Sequence, residues 1–511
     1  MARVSWMVVA CCGVVAACTG KSREAPDAGP GAAPDTRTGG AADGSTPGTG
    51  VALEPPLAKD GWTFYGAAQG LGEDVRDVSA DEGGNVYVAG GDALYAKRKG
   101  DPWYLRFDAR SAGLTENCYA LADRDAPASL DAIAHPQPPG PPVLCPVVSV
   151  AGGSAGFAAV GLQGHGTDGD GDADWATDSG GADLVSFDGT RLARTRHVFV
   201  ASPPNVICAE QATSGGCNPY DFFWVNGRRK VRQVHRIVFN HGYGAAPERG
   251  DVWLAGTHGT FSVLLANAES RGWQDSTVGA PAKFADAKDV YEHLHPGVIW
   301  GPPGEPAQFW TNTAYGFALD PTTGDPWGSN ELRIATLRGY GSTPGQGWTI
   351  DMSPPRDADF SLASYLSVWT TDPRVGKNDT VMSLAFCDDG TLWIASALYG
   401  LARRDPATGA LSRLDLPDPA AHGNNAYAVA CDPLDGSLWI GLGWGGVMRY
   451  RDGRFTELDP AGLPAFVRQP VLSIQIDRWT SPRTVYFAFI PSKDASGRIV
   501  AGGGVAAYDG K

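Results

Sequence analysis

Apolar and polar positions along the last third of this chain follow one pattern that recurs. Residues 381–396 read VMSLAFCDDGTLWIAS, residues 427–442 read YAVACDPLDGSLWIGL, and residues 471–489 read VLSIQIDRWTSPRTVYFAF. Each copy is a short apolar run, a polar turn and a second apolar run, the pattern of two strands joined by a tight connection. A third run follows the first two copies at 398–405 and 445–452, and a fourth at 410–415 and 454–459.

Four short antiparallel strands repeating at roughly 45 residues predict the blades of a β-propeller. Earlier, more divergent copies are expected at 75–107, 147–200, 231–273 and 297–338. With 381–415, 424–459 and 470–509 this makes an all-β chain of seven four-stranded blades, with six or eight as the alternatives because 339–378 is hard to assign. The last copy stops after its third strand, at GVAAYDGK, while a lone strand, GWTFYG at 61–66, precedes the first. If the lone strand completes the last blade, two exposed edges pair and the ring closes.

The front of the chain is of another kind. Residues 1–18 combine Arg3 with an apolar run and read as an export signal. Val15-Ala16-Ala17-Cys18 has the form of a bacterial lipobox, which makes Cys18 the lipidated N-terminus; Thr19 after it favours the outer membrane. Residues 19–58 are rich in Gly, Pro and Ala and predict a disordered tether, because they cannot bury enough apolar surface to offset ordering. The propeller then occupies 59–511, with insertions near 117–145, 164–182 and 201–230. Gly 68 and Pro 38 suit a protein built of turns, and a net charge of −15 argues against nucleic acid as a partner. After cleavage and lipidation six cysteines remain, which allows 15 pairings. Cys208 with Cys217, and Cys118 with Cys145, flank two of the insertions and are expected to pair. Cys387 and Cys431 read as equivalent positions of neighbouring blades, either bridged or simply buried.

The runs WTFYGAAQGLGEDVRDVSADEGGNVYVAG, LAFCDDGTLWIASALYGLARRDPATG and VACDPLDGSLWIGLGWGGVMRYRDG resemble the repeats of two-component-regulator propellers. That resemblance implies an extracytoplasmic sensing fold, often for glycans, joined in the family to a membrane helix and a kinase. Neither follows in this sequence, so the resemblance implies a binding role without a signalling output. The blades resemble less closely other repeat propellers that act as lyases or lactonases.

Candidate chemistry falls on the loops. Trp393 and Trp439, on second strands, are expected to pack between sheets, and Gly83-Gly84, Asp389-Gly390 and Asp435-Gly436 to act only as turns. Connections between second and third strands, and between blades, normally form the functional mouth. His165, His258, Asn312, Tyr315, Tyr399 and Trp444 are placed there, a mix of aromatic faces and hydrogen-bonding groups that suits a glycan, a peptide or a partner protein. Asp168, Asp170, Asp172, Asp174 and Asp178 alternate along one loop and could wrap Ca²⁺, although Ala173 and Ser179 break the EF-hand pattern. His293-Leu294-His295 lacks a third metal ligand nearby, and two matches to hydrolase and dinucleotide motifs, at 152–156 and 441–446, lack the helix each needs. The leading expectation is a tethered, non-catalytic binding protein. The rival is an exported lyase or hydrolase with a metal and histidines at the mouth, which would show a histidine and a carboxylate in hydrogen-bond reach.

Overall fold

The computed structural model describes residues 41–43, 53–109, 146–163, 182–198, 234–241, 252–256, 259–264, 269–272, 315–330, 333–338, 349–353, 381–419 and 423–510. Within them the chain is all-β and builds, in chain order, seven antiparallel sheets of four or five strands, with a two-stranded ribbon of Ser492–Lys493 and Ile499–Ala501 besides. The first holds Asp77–Ala80, Val86–Gly90, Ala93–Lys97 and Leu105–Asp108. The second holds Val147–Gly152, Phe157–Leu162, Ala182–Phe187 and Arg191–Val198. The third holds Val234–Phe239, Val252–Gly256, Gly259–Leu264 and Glu269–Gly272. The fourth holds Phe317–Leu319, Pro326–Asn330, Arg333–Arg338 and Thr349–Ser353. The fifth holds Val381–Phe386, Leu392–Ser396, Gly400–Arg404 and Leu411–Leu414. The sixth holds Ala426–Cys431, Leu438–Leu442, Val447–Arg451 and Arg454–Glu457. The seventh holds Val471–Asp477, Thr484–Phe489 and Gly504–Tyr508, and its fourth strand is Trp62–Tyr65, with Trp62 opposite Tyr508. Among the described residues no helix is long and apolar enough to cross a membrane.

Two expectations are corrected here. The fourth sheet starts one strand pair later than the sequence pattern suggested: the run at 315–320 is its first strand, not its third, and its fourth strand lies at 349–353. Weak apolar runs upstream, at 297–312, drew the reading out of phase and lie outside the described residues. The segment 19–58 also contributes structure. Ala41–Asp43 adds to the outer edge of the second sheet, and Leu57–Lys59 to that of the seventh.

Second strands explain why the repeat reads as continuous apolar runs. Val86–Gly90, Leu392–Ser396 and Leu438–Leu442 are buried at every position, because sheets cover both of their faces. The core is accordingly divided into clusters that each straddle two consecutive sheets. Tyr87 and Phe107 meet Val160 and Phe187 between the first and second sheets. Trp393 meets Leu438 and Met448 between the fifth and sixth, and Trp439 meets Phe487 between the sixth and seventh. Tyr486 and Val505 of the seventh sheet pack on Val78 and Val88 of the first. Buried serines stitch the same seams: Ser79 Oγ accepts the Gly152 N–H at 2.9 Å, and Ser149 Oγ donates to the Val234 carbonyl at 2.6 Å. Outer strands carry charge instead, as in Arg454–Glu457, which blunts an exposed edge.

Cys387 and Cys431 are bridged, with their Cα atoms 5.1 Å apart. They are not at equivalent positions. Cys431 ends its strand opposite Leu438, whereas Cys387 is the residue after Phe386, which stands opposite Leu392. Phe386, at the register of Cys431, faces Trp327 of the fourth sheet with ring centroids 5.9 Å apart. Because side chains alternate along a strand, the offset of one residue turns Cys387 toward the sixth sheet. Cys18, Cys118, Cys145, Cys208 and Cys217 lie outside the described residues.

Lys97 is buried at the seam between the seventh and first sheets. Its Nζ lies 3.4 Å from the Tyr65 hydroxyl, 3.0 Å from the Asp101 carbonyl and 4.6 Å from the centre of the Tyr65 ring. Burial pushes its pKa down from 10.5 to about 8, with the Asp101 charge opposing and Lys99 adding. Between pH 8 and about pH 10 the unfolded chain therefore holds a proton that the folded chain has released. Stability should rise with pH across that window by a few kcal/mol, at about 1.4 kcal/mol per unit. Lys97→Met should flatten the rise, as read from urea midpoints at pH 7.5 and 10; an identical rise in both proteins would contradict the assignment.

Trp62 is 9% exposed and meets Trp439, Phe487 and Tyr508 with ring centroids 5.9, 5.2 and 4.9 Å away. Trp62→Ala should cost about 3–5 kcal/mol in a single cooperative transition. Loss of the N-terminal strand's protection alone, with an unchanged midpoint, would show that this strand is an accessory.

Candidate functional site

Antiparallel pairing places the start of each first strand beside the turn that joins the second and third strands. In the fifth sheet Val381 stands opposite Ser396, and Ser396 opposite Gly400. At this end five of the first strands carry the same irregularity. Pairing skips one residue between Val147 and Ser149, Val234 and Arg236, Val381 and Ser383, Ala426 and Ala428, and Val471 and Ser473. The extra residues are Val148, His235, Met382, Tyr427 and Leu472. A bulge frees a side chain from the ladder and re-aims it, and bulges often border functional sites.

These residues are mostly apolar. Val148 and Tyr427 are buried, and His235, Met382 and Leu472 are half-buried. Gly443 allows Tyr427 its place: a Cβ there would lie 2.7 Å from the tyrosine ring. His235 lies against Tyr315 with ring centroids 4.5 Å apart and the ring planes tilted by 40°. Burial, with the Arg236 charge acting the same way, pushes the imidazole pKa down from 6.5 to about 3, so the ring is neutral at physiological pH. Arg236 reaches 3.5 Å to the Leu472 carbonyl and so links the first strands of the third and seventh sheets. Its charge opposes the burial that raises the Asp77 carboxyl.

Of the residues the sequence assigned to this mouth, Tyr315 is half-buried beside His235, on the approach to a first strand instead of between second and third strands. Trp444 is half-buried and packs on the core between the fifth and sixth sheets. Tyr399 is corrected: it is 3% exposed and belongs to the core with Trp327 and Val381. The Ser396 hydroxyl accepts the Leu398 and Tyr399 N–H groups, and this tight turn folds the ring inward. His165, His258 and Asn312 lie outside the described residues, as do Asp168, Asp170, Asp172, Asp174 and Asp178. Among the described residues no three His, Cys, Asp or Glu side chains are grouped to hold a metal.

The opposite end of the sheets, assigned only turns, carries charge. A buried carboxylate ends or directly follows the first strand in three sheets and ties each to its neighbour. Asp81 accepts the Gly156 N–H and the Tyr87 hydroxyl at 2.8 Å each. Asp432 pairs with Arg483 at 2.8 Å, and Asp477 with Lys99 at 2.9 Å. The next residues along converge from four sheets. His241 Nδ1 lies 2.8 Å from Glu82, its ring lies 4.3 Å from that of Trp479, and Arg478 lies 3.7 Å from Asp388. Burial lowers the His241 pKa, helped by Arg478 and opposed by Glu82. A neutral imidazole donating Nδ1–H to Glu82 leaves Nε2 as an acceptor. The repeat alignment held the signal for this group: Glu82, His241, Asp388 and Arg478 each fall within two residues of the end of an apolar first strand.

No family model matches the chain, and no curated protein matches it. Solved structures similar in chain course include the WD40 repeats of RRP9, at 8% identity over 89% of this chain and 99% of that one, with a TM-score of 0.46. YCF48 bound to D1 peptide matches at 11% identity over 89% and 98%, with a TM-score of 0.41. A catalytically inactive virginiamycin B lyase from Staphylococcus aureus with quinupristin matches at 9% identity over 89% and 97%, also at 0.41. At such values these likenesses carry no argument about ligand or activity.

The His241 environment can be checked by NMR titration of its imidazole. Glu82→Gln should lower its pKa further, and Arg478→Ala should raise it toward 6.5. Titration curves unmoved by both changes would remove His241 from this cluster.

Proposed function

We propose that the seven sheets are the blades of one closed propeller, and that the bulged residues form a collar at its mouth that binds an organic ligand, a glycan or a peptide, or a partner protein without converting it. Ring closure is supported by the contact of Val471–Asp477 with Asp77–Ala80 and by the core shared between the seventh and first sheets. Binding is carried by one observation: five sheets repeat a bulge that brings aromatic, aliphatic and neutral imidazole side chains to the same end. Apolar walls with a few polar groups are what organic ligands occupy. In this reading Cys18 is lipidated, the protein sits at the outer membrane, and residues after Cys18 tether the ring. The loop between Leu162 and Ala182 joins second and third strands at the collar's end. Ca²⁺ held by Asp168, Asp170, Asp172, Asp174 and Asp178 would order it.

One observation favours a second reading. His241 and Glu82 meet the geometric requirement for a general base and its orienting carboxylate. A lyase or hydrolase would then work at the end opposite the collar.

Glycan and peptide libraries, screened on the full chain and on Tyr315→Ala and Trp479→Ala, separate the two. Under the binding reading Tyr315→Ala weakens the selected ligand at least tenfold, while Trp479→Ala changes it less than twofold and no product forms. The reverse pattern, or turnover abolished by Glu82→Gln, would transfer the function to the other end.

A further inference from the structure

The N-terminal segment touches the outer rim twice. Ala41, Ala42 and Asp43 pair antiparallel with Ala193, Leu192 and Arg191 on the outer strand of the second sheet. Leu57, Ala58 and Lys59 pair with Phe64, Thr63 and Trp62 on that of the seventh. The first sheet lies between those two, in contact with both. The 13 residues 44–56 between the two contacts can span about 45 Å when extended.

The second-sheet contact differs from the seventh. Leu57–Lys59 is joined to its partner by a two-residue turn, Asp60-Gly61, and is simply the next strand of a hairpin. Ala41–Asp43 comes from outside the repeat and joins an edge far away in sequence. That edge is the longest strand among the described residues, and its pairing to Ala182–Phe187 breaks between Arg194 and Arg196. The irregularity at Thr195 bounds the stretch Arg191–Arg194, free of register breaks, and the added strand covers its first three positions. Gly39-Gly40 and Gly44 flank the added strand, so recognition falls to the backbone and small side chains.

We propose that Arg191–Arg194 is a β-addition site for an extended, small-residue polypeptide, and that the chain's own Ala41–Asp43 is its resting occupant. An exposed strand edge is a template for a further strand, with main-chain hydrogen bonds supplying affinity. Three residues pair weakly on their own. Connection through the same chain raises the effective concentration to the order of millimolar, which keeps the site filled yet open to exchange. The inference stands apart from the ligand at the collar, because its readout is backbone protection.

Hydrogen exchange followed by mass spectrometry tests it on the full chain. Replacing both Ala41 and Ala42 by Pro removes ladder donors whichever of them faces the edge. Exchange over Arg191–Ala193 should quicken at least tenfold, while Phe157–Leu162 stays protected and shows that the sheet is intact. A synthetic peptide of residues 38–46 at millimolar concentration should then restore protection in the variant. Unchanged exchange in the variant, or quickened exchange that the peptide leaves uncorrected, overturns the proposal.

Discussion

Burial of each sheet on both faces is the constraint from which the rest follows. A four-stranded sheet whose second strand is apolar at every position has no face to offer water. It must be sandwiched, and among the described residues its neighbours in the chain do so. The core is therefore a set of seams, not one centre, and every seam needs two sheets. Polar groups obey the same rule. Asp81, Asp432 and Asp477 are buried at strand ends, where each satisfies its charge by crossing to the adjacent sheet. A buried carboxylate without such partners would be costly, so these residues fix how neighbouring sheets sit as well as holding their own turns.

Stacking of this kind frees the strand ends. Packing settles the middle of each strand, while the two ends of the stack are left to carry different chemistry. One end gathers bulged residues and is largely apolar. The other gathers Glu82, His241, Asp388, Arg478 and Trp479 and is ionic. The same fold thus offers two chemically unlike ends.

The strands were readable in the sequence wherever two apolar runs flank an Asp-Gly or Gly-Gly turn, because that pattern encodes pairing and double burial at once. The fifth and sixth sheets follow from it directly, while the pairing of the strand at Trp62 with that at Tyr508 follows from the last copy's missing fourth strand. The fourth sheet did not, since its first strand has only three residues, Phe317–Leu319, and its polar turn resembles the connection between blades. The bulges were invisible for a different reason. A skipped residue such as Met382 or His235 leaves the apolar count unchanged and shows only in the register. Tyr399 was misplaced because an exposed loop and a tight turn that folds inward have the same residue types. His241 and Glu82 lie in turns that read as plain connections, and their meeting depends on which sheets face each other.

The offset of the cysteine bridge has a bearing on how the repeats can vary. Cys387 and Cys431 meet because their strands differ by one step in where the thiol falls. Were the fifth repeat copied into the place of the sixth, both sulfurs would project in the same rotational sense around the stack, and each would confront a neighbour's plain side chain. The two units have therefore lost interchangeability, and a lesion that inserts or deletes a single amino acid in either strand would unpair the link while leaving both cysteines in the gene product.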